Sequence, residues 1–332
     1  MRTMRITLDA RPKGTPKRAD FGIGEFELSE PGEGEILVCL KYLSVDPYMR
    51  GRMNEAKSYV PPFVLGEAIT GGAIAEVVAS NDASCSVGDL VTGAMRWQNY
   101  DVLPASHVRK LEPSGLGLSL YLGVLGMPGL TAYVGLLDIG SPKATESVFV
   151  SGAAGAVGSA AGQIAKIKGC TVIGSAGGPD KCRRLGELGF DSVIDYKLGN
   201  LSTRLGEVAP NGLDVYFDNV GGDHLIAALE ASNNYARFVL CGAISQYNNS
   251  VPVPGPPNLF RVIQRRLTLR GFIVSDHFAR LAEFERDMTT WIREGKVSYD
   301  ETVVQGLESA PDAFLGLFSG VNLGKMVVKV DD

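Results

Sequence analysis

The sequence has little of what metal and disulfide chemistry require. Only three histidines, His107, His224 and His277, are spread over 332 residues. None pairs with a cysteine or a second histidine at ligand spacing, so each is expected in a loop or at the surface and no metal is expected. The five cysteines, Cys39, Cys85, Cys170, Cys182 and Cys241, are odd in number and contain no C-x-x-C pair. The spacings exclude a four-cysteine metal site, no disulfide framework is expected, and reduced thiols in a cytoplasmic protein are the expectation. Long like-charge runs are also lacking, and the net charge is only −5. That balance gives no electrostatic basis for binding nucleic acid or an anionic membrane. The segment from Met1 to Pro12 has no apolar core and does not read as a secretory leader. One uncharged stretch, Gly115 to Leu137, is long enough to span a bilayer, but it carries Pro128 and six glycines. A loop followed by a buried helix is the expectation there.

What is present is a globular mixture, 45% hydrophobic with 41 glycines. Its length suits two domains. The first third reads as short strands, Ile36–Tyr42, Ala73–Ala79 and Asp89–Thr92, punctuated by glycine, proline and aspartate. That pattern predicts a barrel-like β domain. The middle alternates strands with helices. Strands are predicted at Ser147–Ser151, Thr171–Ser175, Ser192–Tyr196, Asp214–Asn219, Phe238–Gly242 and Leu267–Phe272. Helices are predicted at Val157–Lys168 and Lys181–Leu188. The alternation implies a parallel, doubly wound α/β sheet. The tail returns to β signals at Tyr299–Val304 and Lys325–Val330, around a helix at Pro311–Ser319. The chain is thus expected to leave the first domain, build the second and return. The expected division is 1–124 with 297–332, and 125–296.

The segment Ser151 to Gly158 carries the clearest chemistry. Against G-x-G-x-x-G it reads Ala153-x-Gly155-x-x-Gly158, with alanine at the first position. It follows an apolar strand and opens a helix, the context in which such a turn holds a dinucleotide pyrophosphate on helix N–H groups. Gly155 is expected to admit the pyrophosphate and Gly158 to let helix and strand pack closely. An NAD site places Asp or Glu at the end of the second strand. Here Ser175-Ala176-Gly177-Gly178 stands there, with Lys181 beyond it. An uncharged pocket near a cation suits the 2′-phosphate of NADP, unless Asp180 points inward. Without a Lewis acid, tyrosine hydroxyls and backbone N–H groups must stabilise developing negative charge, which directs attention to Tyr48 and Tyr247. Cys241 lies at a strand end, where packing is its expected role.

Further spaced motifs are Leu43-Ser-Val-Asp-Pro-Tyr-Met-Arg50, Gly126-Met-Pro-Gly-Leu-Thr-Ala-Tyr133, Tyr216-Phe-Asp-Asn-Val-Gly-Gly222, Cys241-Gly-Ala-Ile-Ser-Gln-Tyr-Asn248, Gly271-Phe-Ile-Val274 and Asn322-Leu-Gly-Lys325. With Ala153–Lys166 they run along nearly the whole chain. In this order the sequence resembles the zinc-independent medium-chain reductases of alkenals, alkenones and 15-oxo-prostaglandins, among whose bacterial members are NADPH-dependent curcumin reductases.

The resemblance implies a GroES-like β-barrel domain plus a Rossmann domain, and NADPH-dependent reduction of a carbon–carbon double bond conjugated to a carbonyl. It implies a cofactor site of Gly155, Ala156, Val157, Gly158 and Ser159 at the pyrophosphate, with Lys181 and Tyr196 at the 2′-phosphate. Asn219, Cys241, Gly242, Ala243, Ile244, Ser245, Tyr247, Phe272, Ile273, Val274 and Asn322 would line the rest. Tyr247 would serve the nicotinamide ribose and the substrate carbonyl, and Tyr48 would border the substrate. Zinc-bearing relatives would read G-H-E where this chain reads Gly66-Glu67-Ala68. Met95 and Trp97 are pocket-wall candidates, in a stretch (Gly93-Ala-Met-Arg96) that departs from the aromatic-rich prostaglandin branch. A homodimer is also implied. Quinone reduction on a similar frame, and NADPH binding without turnover, stay open as alternatives.

Overall fold

The computed structural model describes residues 1–112 and 115–330. These fall into two compact units: Met1–Leu122 with the C-terminal segment from Glu301, and Gly123–Asp300.

The first unit is built on β-strands. A sheet runs in the order β14 (Glu301–Gln305), β15 (Lys325–Lys329), β3 (Glu35–Ser44), β4 (Thr70–Ser80), β5 (Leu90–Arg96), β7 (Val108–Lys110), while β6 (Tyr100–Pro104) also pairs with β3. Only the β14–β15 pair is parallel; the other pairings are antiparallel. Ile36, Val38 and Leu40 of β3 point into one core with Val77, Val91 and Phe314, the alternation expected of a sheet with one face buried. A separate hairpin-like pair, β1 (Arg2–Leu8) with β2 (Phe21–Glu27), joins this body through Ile6, whose N–H donates to Trp97 O at 2.8 Å. No sequence pattern announces this pair. Thr3 and Thr7 alternate with apolar residues yet are themselves buried, so the strand shows no clear amphipathic period.

The second unit is a parallel sheet ordered β10 (Ser192–Asp195), β9 (Thr171–Ala176), β8 (Ser147–Val150), β11 (Leu213–Asp218), β12 (Ser232–Leu240), β13 (Thr268–Gly271). Val148, Phe149 and Val150 are all fully buried, as a central strand covered on both faces requires. Helices α3 (Ala156–Ile167), α4 (Pro179–Glu187), α5 (Leu201–Val208) and α6 (Gly222–Ala231) lie between the strands in the sequence. From β8 the chain winds outward through β9 and β10, then returns to β11 on the other side of β8. The switch point therefore lies at the ends of β8 and β11, where open parallel sheets bind ligands.

Three expectations are corrected. Strand β12 starts at Ser232 and stops at Leu240, not at Gly242. Cys241 N–H makes the last regular bond, to Asp218 O at 2.9 Å, and Gly242 N–H turns back onto the same oxygen at 2.9 Å, which ends the ladder. Tyr196 opens a one-turn 3-10 helix instead of ending β10, because the Asp195 carboxylate accepts from Lys197 N–H at 3.0 Å and caps it. His224 is neither on the surface nor in a loop: it lies in α6, 5% exposed, its ring stacked beside Phe149 and edge-on to Tyr196. The uncharged stretch contains a buried helix, α2 (Met127–Val134). No helix among the described residues is long and apolar enough to cross a membrane.

Candidate functional site

The glycine turn begins as β8 ends. Ser151 is fully buried, and its hydroxyl donates to Asp218 Oδ1 at 3.0 Å. Ala153 donates its N–H to Ser175 O at 2.9 Å, tying the turn to the end of β9. Gly155 precedes α3 in extended conformation and offers no side chain to the first-turn N–H groups. Gly155, Ala156 and Val157 form a half-open rim, while Gly158 and Ser159 are buried beneath it. A Cβ on Gly158 would lie 2.5 Å from Gly152 O and 2.8 Å from Ala153 Cα. Glycine is thus required there by the turn's own backbone. The close packing of helix against strand falls instead to Gly162 and Gly174, both pressed on the ring of Phe190. An uncapped helix N-terminus behind a half-open glycine rim fits a pyrophosphate.

At the switch point a single carboxylate organises the neighbouring loop. Asp218 is buried, and its Oδ1 accepts from Ser151 Oγ, Tyr216 OH (2.7 Å), Val220 N–H (2.9 Å) and Gly221 N–H (2.8 Å). Asn219 is locked onto the glycine turn, Nδ2 donating to Ser151 O at 2.8 Å and N–H to Ser151 Oγ at 2.9 Å. The Cys241–Tyr247 loop packs on the same segment through Ser245 Oγ, which donates to Val220 O at 2.6 Å. Within this loop the Tyr247 hydroxyl accepts from Ala243 N–H at 3.2 Å. Burial raises the pKa of that phenol, partly offset by the Ala243 bond. Burial and Asp218 push the Cys241 thiol up to about 12, which agrees with packing and not with a nucleophile.

Two cations, Lys181 and Lys197, border the end of β9, while the one nearby carboxylate, Asp195, is turned onto backbone N–H groups. Lys181 is half-buried; desolvation and the neighbouring Lys197 both lower its pKa. Tyr196 OH and Lys197 Cε lie 2.7 and 3.0 Å from where a Cβ on Gly177 would be, so both side chains lean over that glycine. Asp195 fixes the corner by accepting from Gly178 N–H at 3.0 Å as well as from Lys197. Asp180 faces outward and pairs with Arg183 at 2.9 Å. Two lysines and a phenol around a small uncharged strand end fit a dianionic phosphate ester and would disfavour a bare ribose diol.

The sequence gives no sign of the roles of Lys197 and Asp218. Lys197 follows a capping aspartate outside any recognised spacing. Asp218 reads as part of the Tyr216–Gly222 motif but shows no sign that it would be buried. Phe272 packs on Gly135 and edge-on to His277, and Ile273 and Val274 follow it half-buried beyond β13.

In the first unit, Tyr48 immediately precedes the short helix α1 (Met49–Arg52). Burial first, then Asp46, raise its phenol to about 12, with Arg52 acting in the opposite sense. Asn322 is half-buried, Nδ2 donating to Gly324 O at 2.8 Å. Met95 and Trp97 do not stand as pocket walls: at 1% and 0% exposure they are packed within the core of this unit, because β5 and the residue after it turn these large side chains inward. Glu67 is exposed. Among the described residues, no group of three or more histidine, cysteine, aspartate or glutamate side chains is placed to hold a metal ion.

A parallel sheet with a glycine turn at its switch point, joined in sequence to a β-rich unit, defines a two-domain dinucleotide-dependent oxidoreductase. Family models agree: residues 4–111 match the N-terminal domain of oxidoreductase, and residues 156–293 match the model described as zinc-binding dehydrogenase. The chain is 44% identical to the NADPH-dependent curcumin reductase of Escherichia coli (99% of this chain, 97% of the relative). It is also 44% identical to the NADP(+)-dependent 2-alkenal reductase of Nicotiana tabacum (96% and 94%). The crystal structure of CurA from Vibrio vulnificus in complex with NADPH superposes with a TM-score of 0.95 at 45% identity, covering 99% of both chains. The chain belongs to this family of NADPH-dependent medium-chain enone and alkenal reductases.

Proposed function

We propose that the protein reduces the carbon–carbon double bond of α,β-unsaturated ketones and aldehydes with NADPH, without zinc. One geometric observation carries the chemistry. The Tyr247 hydroxyl accepts a hydrogen bond from Ala243 N–H beyond the C-terminal edge of the parallel sheet. Its own proton is thereby left to donate outward, to a carbonyl oxygen that gains charge.

When bound, NADPH supplies the hydride for the β-carbon. The residues that would hold it are the rim Gly155–Val157 with Gly158 and Ser159, then Lys181, Tyr196 and Lys197 at the 2′-phosphate, with Asn219 and the Cys241–Tyr247 loop along the remainder. Phe272–Val274 and Asn322 are assigned to the same cofactor from the family resemblance. Tyr247 holds the substrate carbonyl and stabilises the enolate oxygen, and Tyr48 borders the substrate. The α-carbon is then protonated from solvent or a tyrosine. Orientation and enolate stabilisation account for most of the rate, with little demand for a strong acid or base. The zinc-independent reading rests on Gly66-Glu67-Ala68, where a histidine ligand would stand, and on the phenol and backbone donors that replace a Lewis acid.

A cytoplasmic homodimer is part of this proposal. Five free cysteines are consistent with a reducing compartment. Edge strand β13 and the exposed Leu259, Phe260 and Ile263 offer a surface for a second copy. Light scattering tests the dimer.

The activity test is NADPH consumption across a panel of simple 2-alkenones, 2-alkenals and quinones, with product analysis. Saturated ketones and aldehydes are expected. Turnover of quinones alone would favour the quinone reductase alternative. Tight NADPH binding with no turnover of any acceptor would favour a binding protein.

A further inference from the structure

Two of the spaced motifs contain residues that the proposed chemistry does not use: Asp46, in Leu43–Arg50, and Lys325, in Asn322–Lys325. The fold of the first unit brings them together. Strand β15 runs antiparallel to β3 with Val327 opposite Ser44, so Lys325 comes alongside the residues just past the end of β3. Its ammonium lies 3.1 Å from Asp46 Oδ1, and the two side chains are only 5% and 8% exposed.

All three ammonium protons have an acceptor: Val45 O at 2.8 Å, Asp46 Oδ1 at 3.1 Å and Met326 O at 2.8 Å. The second carboxylate oxygen of Asp46 accepts from the Ser44 hydroxyl. The pair therefore grips the backbone at Val45 and the side chain at Asp46, immediately before Pro47 and Tyr48. Next, Asp46 O accepts from Met49 N–H and Pro47 O from Arg50 N–H, each at 3.1 Å, which folds the Tyr48 turn into α1. On the far side of Lys325, Glu301 of β14 stands opposite in register, its Oε2 accepting from Ser119 Oγ at 2.8 Å. A second carboxylate thus neighbours the same ammonium.

Such a pair is a poor device for stability alone. Taking both charges out of water offsets much of their attraction, and an apolar pair of similar volume commonly serves a core as well or better. What the pair provides is a fixed place for the turn it holds.

We propose that Lys325, through Asp46, is a positioning residue for Tyr48, holding the Val45–Met49 turn so that the phenol stands in one place against the substrate. This rests on the enone reductase reading, in which Tyr48 borders the substrate.

The test replaces both charges together, Asp46→Leu with Lys325→Met, alone and combined with Tyr48→Phe. The double variant is expected to fold but to melt below the native protein, because Val45 O and Met326 O lose their donor and Glu301 its neighbouring cation. Its kcat on a 2-alkenone should fall about 10- to 100-fold, the scale set by small misplacements of a positioned group. Adding Tyr48→Phe should then cost nothing further, because Lys325 acts through that phenol. An unchanged kcat, or losses that multiply with those of Tyr48→Phe, would overturn the proposal. Hydrogen exchange supplies a readout independent of turnover: the amides of Met49 and Arg50 should exchange at least about tenfold faster in the double variant. Native protection there would equally overturn it. If the native protein leaves enones unreduced, the functional reading falls while the exchange result still decides the positioning role. Should the double variant not fold, Ser44→Ala, which frees one Asp46 oxygen, should show the same pattern with a smaller loss.

Discussion

Replacing Lys181 with alanine tests the cofactor assignment most sharply, because NADPH and NADH differ only at the 2′-phosphate. Lys181 is half-buried beside Lys197, and both desolvation and that like charge weigh against its ammonium form. A phosphate carrying about two negative charges would relieve both. Removing one charge-assisted hydrogen bond of this kind costs about 1.5–3 kcal/mol, or roughly 10- to 150-fold in the dissociation constant. NADH has no phosphate to lose, so its affinity should be unchanged, or slightly improved by relief of the lysine–lysine repulsion. Quenching of protein fluorescence by each nucleotide, at fixed ionic strength, gives both constants. Adding Lys197→Ala should weaken NADPH further and flatten its salt dependence. The pH dependence has a definite sign. Lys181 has a lowered pKa in the free protein, so NADPH affinity should decline as pH rises through a value below 10.5. Equal losses for NADPH and NADH would refute the assignment of Lys181 to the phosphate.

The remaining predictions concern the turn, the phenol and a buried histidine. Gly158→Ala should disrupt binding of both nucleotides, since its Cβ would sit 2.5 Å from Gly152 O; equal nucleotide affinity in the variant and the native protein would count against the turn. Tyr247→Phe should lower kcat on an enone about 100-fold, the usual cost of one oxyanion donor, while Ala243 N–H also loses its acceptor; an unaltered kcat would remove Tyr247 from the chemistry. Burial lowers the pKa of His224 below 6.5, so the unfolded chain binds the extra proton first as pH falls. Its contribution to stability is complete above about pH 6.5 and is lost toward the lower folded-state pKa. His224→Phe should flatten the fall in melting temperature between pH 7 and pH 5, and an unchanged slope would show that other groups set it.

The strongest sequence signals were those with a short-range cause. The run Ser147–Val150, the glycines at 155 and 158 and the lysine at 181 mark a strand, a turn and a cation without reference to distant residues, and the parallel sheet follows from their alternation with helices. Lys197 was not legible, because its approach to Gly177 depends on the Asp195 cap and on β10 lying beside β9. Asp218 reads like any acid in a motif; only the fold gathers four donors around one of its oxygens. Met95 and Trp97 show the converse: their types suit a pocket wall, yet the register of β5 turns them into the core. The burial of His224 is not legible either, because a lone histidine says nothing of the aromatic rings that Phe149 and Tyr196 bring to it. Asp46 and Lys325, 279 residues apart, could be joined only by the β3–β15 pairing.

The central claim, hydride transfer to the β-carbon of an enone, is tested most directly with NADPH deuterated on the transferred face of its nicotinamide C4. A simple 2-alkenone should give the saturated ketone with one deuterium on the β-carbon, and a proton from solvent on the α-carbon. Deuterium on the carbonyl carbon of an allylic alcohol, or a product without deuterium, would contradict it.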